Sequence, residues 1–172
     1  LGECLNYNAY GGSESDLVCP PAELYRTLAP YEDAEQFIAQ EPVLARIRMA
    51  RAADMAQALA CAPEIDAAGV TLHRLPDTAW ARRVIGSFAN HLATSDRTRA
   101  HAVLVPYADA SFSLSLRTPQ IAGISAAAFC RRFGGGGREI AGGCDGLPPE
   151  ELPRIIDELI RSFPVSFPQD KS

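Results

Sequence analysis

Four glycines stand in a row at Gly134–Gly137, inside the stretch FGGGGREIAGG (residues 133–143), which holds six of the chain's thirteen glycines. A backbone without Cβ atoms over four residues cannot extend a helix, because glycine gives up the most conformational freedom of any residue on ordering. Such a run is either slack or closely approached. A linker would be polar and extended over many residues. This run is short, is bounded by the apolar Phe133 and Ile140-Ala141, and continues into Ala-Gly-Gly without a shift in composition. Three readings survive: a wide helix C-cap, a loop whose backbone packs against a neighbour, and a nest of backbone N–H groups holding an anion.

Charge near the run favours the anion. Between Leu116 and Glu139 four arginines (Arg117, Arg131, Arg132, Arg138) stand against one acid, Glu139, in a chain whose net charge is −5. The guanidinium fork matches phosphate oxygens, whereas the acidic total argues against indiscriminate binding of polyanions. No Lys-Ser/Thr follows the glycines, so the run is not a Walker A loop. It leaves a helix and does not open one, so it is not a dinucleotide fingerprint.

The surrounding pattern is α/β. GVTLHRL (69–75) and HAVLVPY (101–107) read as strands. SFSLSLRT alternates, with Phe112, Leu114 and Leu116 on one face and Ser113, Ser115 and Arg117 on the other. Between the first two strands Ala81, Val84, Ile85, Phe88 and Leu92 mark the apolar face of a helix over 76–94, with Asp77 or Thr78 as N-cap. Ser125 caps a short helix that ends at Gly134. After the glycines come a brief apolar stretch, a turn at Cys144-Asp145-Gly146 and a last helix opened by Pro149, with Leu152, Ile155, Ile156, Leu159, Ile160 and Phe163 on its inner face. The expected fold is a mixed β-sheet flanked by helices and preceded by a connector helix.

Residues 1–40 mix turn residues with short apolar patches and read as a loop-rich segment. PVLARIRMARAADMAQALA reads as the connector (41–63), an apolar cylinder with one polar stripe at Arg48, Arg51, Asp54 and Gln57, covered on most sides. The α/β domain then spans 64–168. The five cysteines are widely spaced, with no CxxC pair, and read as reduced, mostly buried thiols. His73, His91 and His101 are scattered and read as structural or surface residues. No apolar run approaches the roughly 20 residues of a membrane span, and no signal-peptide pattern is present, so a cytoplasmic protein is expected.

SLSLRTP, a short helix, and then FGGGGREIAGG resemble, in that order, the C-terminal substrate-binding domain of DHH-family phosphoesterases, over about residues 66–165. That resemblance implies substrate contacts from the strand-end Arg117 and the adjoining Thr118. It implies a backbone cradle at Gly134, Gly135, Gly136 and Gly137. Arg138 stands where the family usually has histidine, so a phosphate clamp is implied in place of a proton shuttle. The family's catalysis runs on two manganese ions held by an Asp-His-His triplet and other Asp and His residues in an N-terminal domain. No such triplet occurs here. No residue of this chain is therefore given a catalytic or metal-ligating role, and the chain by itself is expected to be inactive. Manganese, and a DHH domain as partner, are expected upstream of Leu1, with residues 1–40 as that domain's tail.

The implied function is the phosphate- or nucleotide-binding part of a phosphoesterase acting on short oligonucleotides, nucleotide diesters or polyphosphate. A related domain ends alanyl-tRNA synthetases, so a non-catalytic RNA-binding module is the alternative, and an oligomerisation domain with a merely packed glycine loop is a third.

Overall fold

The computed structural model describes residues 1–120 and 122–165. The chain divides into two compact units, Leu1–Ala60 with Thr78–Val84, and Cys61–Asp77 with Ile85–Ser172. The expected limit of the α/β domain at residue 168 lies outside the described residues.

The first unit is helical: α1 (Gly2–Tyr7), a 3-10 turn at Glu14–Asp16, α2 (Pro21–Leu28), α3 (Ala34–Gln40) and α4 (Pro42–Leu59). Pro21 and Pro42 each open a helix, where the missing N–H costs nothing. The loop-rich reading of residues 1–40 is thus corrected. Their helices are one to two turns long, too short to show a period above the Gly, Pro and Ser between them, and tertiary packing sustains them. Tyr7, Phe37, Leu44 and Ile47 are fully buried.

The reading of α4 is corrected as well. Its buried face is Leu44, Ile47, Asp54 and Ala58, so the supposed solvent stripe lies partly inside, while Met49 (74% exposed) and Leu59 (52%) lie outside. The reason is an ion-pair network. Asp54 accepts hydrogen bonds from the Tyr7 hydroxyl at 2.5 Å and from Arg83 Nε at 2.8 Å, and Arg83 also donates to the Tyr7 oxygen at 2.9 Å. Arg82 forks onto Asp16 at 2.6 and 3.0 Å. Burial and the Asp54 carboxylate push the Tyr7 phenol well above its usual range. Residues 78–84 join this unit through these charges, which a domain boundary read along the sequence could not show.

The described residues of the second unit form a six-stranded sheet in the order β1-β2-β3-β4-β6-β5. Its strands are β1 (Ile65–Asp66), β2 (Val70–Arg74), β3 (Ala100–Pro106), β4 (Phe112–Arg117), β5 (Gly136–Gly137) and β6 (Ala141–Leu147). Only β2 and β3 are parallel, and the crossover that such a pair needs is α5 (Ala79–Ser95). The other pairs are antiparallel. α6 (Ala126–Arg131) and α7 (Leu152–Ser162) complete the unit, α7 after a 3-10 turn at Pro149–Glu151, so Pro149 opens that turn and the α-helix starts at Leu152.

One face of the sheet carries the apolar core: Leu72, Ala102, Leu104, Leu114 and Leu116 against Phe129, Ile155, Leu159 and Phe163. The other face carries most of the polar side chains of the sheet and is largely covered, with Thr71, His73, His101, Ser113 and Ser115 all buried alongside Val103 and Val105. The Phe88 ring of α5 meets His73 edge-on at 5.0 Å. His101 donates from Nε2 to the Asp96 carbonyl at 2.7 Å and accepts from the Thr71 hydroxyl at 2.8 Å, a neutral tautomer that its burial favours by lowering its pKa. His73 is likewise held neutral by burial, and His91 is exposed. Thr78, one of the two expected N-caps of α5, has a buried hydroxyl without a hydrogen-bond partner among the described residues.

The expected turn at Cys144-Asp145-Gly146 is corrected: these residues lie within β6, where the register with β4 slips between Phe112 and Leu114. Gly146 there has φ +66°, so the turn residues of the sequence mark a β-bulge. All five cysteines are free thiols, four of them buried.

The buried charges of the first unit give a direct test. Asp54→Ala strands the Arg83 guanidinium, whose side chain is only 14% exposed. The expected loss is about 3–5 kcal/mol in denaturant unfolding, against less than about 1 kcal/mol for Glu23→Ala, which removes the exposed pair with Arg46.

Candidate functional site: the glycine hairpin and its polar face

The four consecutive glycines have different jobs. Ser125 caps α6 by accepting from the Ala128 amide at 3.1 Å. At the other end Gly134 takes φ +77° and donates to the Arg131 carbonyl at 3.4 Å, and Gly135 donates to the Cys130 carbonyl at 3.0 Å. This is the Schellman arrangement, which needs a left-handed residue at Gly134. A Cβ on Gly135 would lie 2.2 Å from the Gly143 carbonyl oxygen and 2.5 Å from Cys144 Sγ. The first two glycines therefore end a helix and pack, and their amides are spent inside the cap.

The chain then enters β5 and turns back through Arg138–Ile140 into β6, with the Arg138 amide donating to the Ala141 carbonyl at 2.7 Å. The brief apolar stretch of the sequence is the return strand of this hairpin. Its tip is fastened by carbonyls. Glu139 accepts from the Ala126 amide at 2.8 Å, Arg138 from Ala127 at 3.1 Å and Ile140 from Thr118 at 3.1 Å. The Thr118 hydroxyl adds a bond to the Glu139 carbonyl at 3.3 Å. The amides at the start of α6 are thus taken by the hairpin and by Ser125. Thr118, expected among the substrate contacts, is 7% exposed and is spent on holding the tip.

Strand register fixes which residues share a face. Ser115 pairs with Gly143, and Gly143 pairs with Gly136. Arg117 pairs with Ala141, next to which Arg138 completes the hairpin. Because alternate residues of a strand point the same way, Arg117, Ser115, Ser113, Gly143, Gly136 and Arg138 fall on the polar side of the sheet. Gly137 and Gly142 fall on the α6 side. A Cβ on Gly142 would lie 2.7 Å from the Ala126 carbonyl oxygen, and Gly137 has φ +141°. Gly136 alone of the four-glycine run has neither a positive φ nor an atom within 4 Å of an added Cβ. The fold does not explain why it is glycine.

Around this opening the polar groups are pre-set. Arg117 donates from Nε to the Asn90 side-chain oxygen of α5 at 2.6 Å, and from Nη1 to the Ser115 hydroxyl at 3.1 Å and the Leu116 carbonyl at 2.9 Å. Arg138 is exposed and makes no side-chain hydrogen bond or ion pair among the described residues. Asp145, aimed by the bulge, accepts from the Ser113 hydroxyl at 2.6 Å. No group of three His, Cys, Asp or Glu that could hold a metal lies together among the described residues. None of the described helices is long and apolar enough to cross a membrane.

Of the site residues expected from the sequence, the strand register puts Arg117, Gly136 and Arg138 on one face. It sends Gly134, Gly135, Gly137 and Thr118 to the scaffold. Sequence reasoning missed Ser113, Ser115 and Gly143, although the alternation of SFSLSLRT already aligned both serines with Arg117. Asn90 gave no signal, since only the tertiary fold carries α5 to the end of β4.

These features define an α/β module with helices on both faces of a mixed sheet and a glycine hairpin at its edge. The sequence matches no family model and no curated protein. Among solved structures, the pGpG-specific phosphodiesterase PggH from Vibrio cholerae is similar at TM-score 0.53 and 15% identity, over 76% of this chain and 45% of that one. Two further structures lie at TM-score 0.48: the C-Ala domain of Aquifex aeolicus alanyl-tRNA synthetase (16% identity, 58% of this chain, 96% of that one) and an exopolyphosphatase-related protein from Bacteroides fragilis (14%, 76% and 44%). This chain therefore spans less than half the length of the phosphodiesterase it resembles. At this identity the likeness is one of fold, the mixed sheet flanked by helices that the sequence led one to expect.

Neighbouring glycines should respond oppositely to alanine. Gly135→Ala should cost at least about 1–3 kcal/mol in thermal or denaturant unfolding, through the clash with Gly143 and Cys144. Gly136→Ala should be neutral or stabilise by up to about 1 kcal/mol, since it only stiffens the unfolded chain.

Proposed function

We propose that the second unit is the substrate-binding part of a DHH-type phosphoesterase, and that it holds the phosphate of a nucleotide or short oligonucleotide on the polar face of β4, β6 and β5. The observation that carries this reading is Gly136, a glycine without a conformational or packing requirement, in the row next to Arg117 and Arg138. A missing Cβ there lets a ligand reach the sheet backbone. The two guanidinium groups supply charge-assisted donors for its phosphate oxygens. Asn90 and Ser115 hold Arg117 in place before the ligand arrives, so less side-chain entropy is lost on binding.

The similarity to a phosphodiesterase named for a guanine dinucleotide supports the same class of ligand. In the proposed enzyme a metal pair outside this sequence would supply activated water, while the residues of this chain bind and orient. The Arg138 guanidinium offers hydrogen-bond donors and no acceptor, so it serves only as a donor. The acidic chain as a whole does not favour long polyanions, so short strands fit better than folded RNA.

Titration calorimetry with 5′-mononucleotides, a dinucleotide and a stem-loop RNA tests this. Arg117→Ala and Arg138→Ala should each weaken binding of the short ligands about tenfold or more, as expected for a lost hydrogen bond to a charged group. Arg117→Lys should recover only part, because the fork is gone. Gly136→Ala should weaken binding while leaving the melting temperature unchanged or slightly raised. Unaltered affinities in all of these variants would overturn the assignment, and a marked preference for the stem-loop would favour an RNA-binding module.

A further inference from the structure

The polar face has a second end, and its chemistry is opposite. Along β4 the residues that share this face run from Arg117 through Ser115 to Ser113, four residues or about 14 Å of strand. At the Arg117 end stand two cations. At the Ser113 end stands Asp145, whose Oδ1 accepts the Ser113 hydroxyl at 2.6 Å and whose side chain is exposed. Between them the floor is the Gly143–Gly136 pair, which lacks side chains.

Asp145 is there because of the bulge. A regular β6 would set one residue opposite Ser113, but the register slip places both Asp145 and Gly146 against it, and Gly146 adopts φ +66°. Bulges of this kind re-aim a side chain and recur beside functional sites. Among the described residues Asp145 has no cation partner, so no ion pair there explains its charge.

We infer that Asp145, held by Ser113, reads the base of the bound nucleotide and selects guanine, while Arg117 and Arg138 hold the phosphate at the opposite end. The inference rests on the phosphate-site reading above. An ionised carboxylate only accepts hydrogen bonds. Ser113 occupies one acceptor position of the exposed carboxylate and leaves the rest free. Guanine presents two adjacent donors, N1–H and the N2 amino group, which a carboxylate receives side by side. Adenine presents one amino donor beside the ring acceptor N1, and cytosine one beside N3, so each sets a lone pair against the carboxylate. A flat base lies over Gly143 and Gly136 without meeting a Cβ.

The test compares the affinities of GMP, IMP, AMP and ribose 5-phosphate for the full chain and for Asp145→Asn, Asp145→Ala and Ser113→Ala, with a thermal melt of each. The wild type should bind GMP about tenfold or more tighter than AMP, in the range measured for one good bidentate base contact. IMP, which keeps N1–H and lacks the amino group, should fall between them. Asp145→Asn and Asp145→Ala should bring GMP and AMP close to parity and leave ribose 5-phosphate unchanged. Ser113→Ala should reduce the preference without removing it. Equal affinity of the wild type for GMP and AMP, or a preference that survives both Asp145 variants, would overturn the base assignment while leaving the phosphate site standing. Failure of every ligand to bind, ribose 5-phosphate included, would overturn both.

Discussion

Three main-chain carbonyls at the tip of the glycine hairpin, those of Arg138, Glu139 and Ile140, take the amides of Ala127, Ala126 and Thr118, and the arrangement of the proposed site depends on that contact. The start of a helix leaves amides without partners, and the turn of a hairpin leaves carbonyls without them. Here each satisfies the other. The exchange fastens β5 at the sheet edge and fixes α6 beside it, and it leaves the start of α6 with no amide donors for an anion. Whatever the hairpin binds, it binds on its other side.

That geometry separates the roles within one short stretch. Gly134 and Gly135 stop a helix, and Gly137 turns on the α6 side under a φ that a side chain would strain. Gly136 and its partner Gly143 leave the opposite face bare between Arg117 with Arg138 at one end and Asp145 at the other. A sheet face whose middle lacks side chains at Gly136 and Gly143, cationic at one end and anionic at the other, suits an elongated ligand with a phosphate and a hydrogen-bonding base. Asn90 connects this face to α5, so the helix that makes the parallel crossover also steadies the arginine.

What the sequence revealed follows from how local each signal is. The alternation of SFSLSLRT, the Ser125 cap and most of the apolar face of the last helix are set by neighbours in the chain and appear where they were expected, except that Ile160, expected on the inner face, is 40% exposed. The glycine run was legible as a break, and two of its three readings, the helix C-cap and the packed backbone, are found at Gly134, Gly135 and Gly137, while anion binding is proposed for the bare Gly136. Cys144-Asp145-Gly146 has the composition of a turn and is a bulge, because a bulge and a turn ask for the same left-handed glycine. The buried carboxylate Asp54 was hidden for another reason. Its partners Tyr7 and Arg83 are far away in sequence, so the period of its own helix placed it on the wrong side.

The proposed phosphate ligand lies on the polar face of β4, β6 and β5 and not in the helix-cap half of the glycine run. Nitrogen-15 NMR of the full chain titrated with a 5′-mononucleotide tests this residue by residue. Shift changes are expected at the Gly136 and Gly143 amides and at the Arg117 side-chain Nε–H, with Gly134, Gly135 and Thr118 nearly still. Changes centred on Gly134 and Gly135, or on residues of Leu1–Ala60, would contradict that placement.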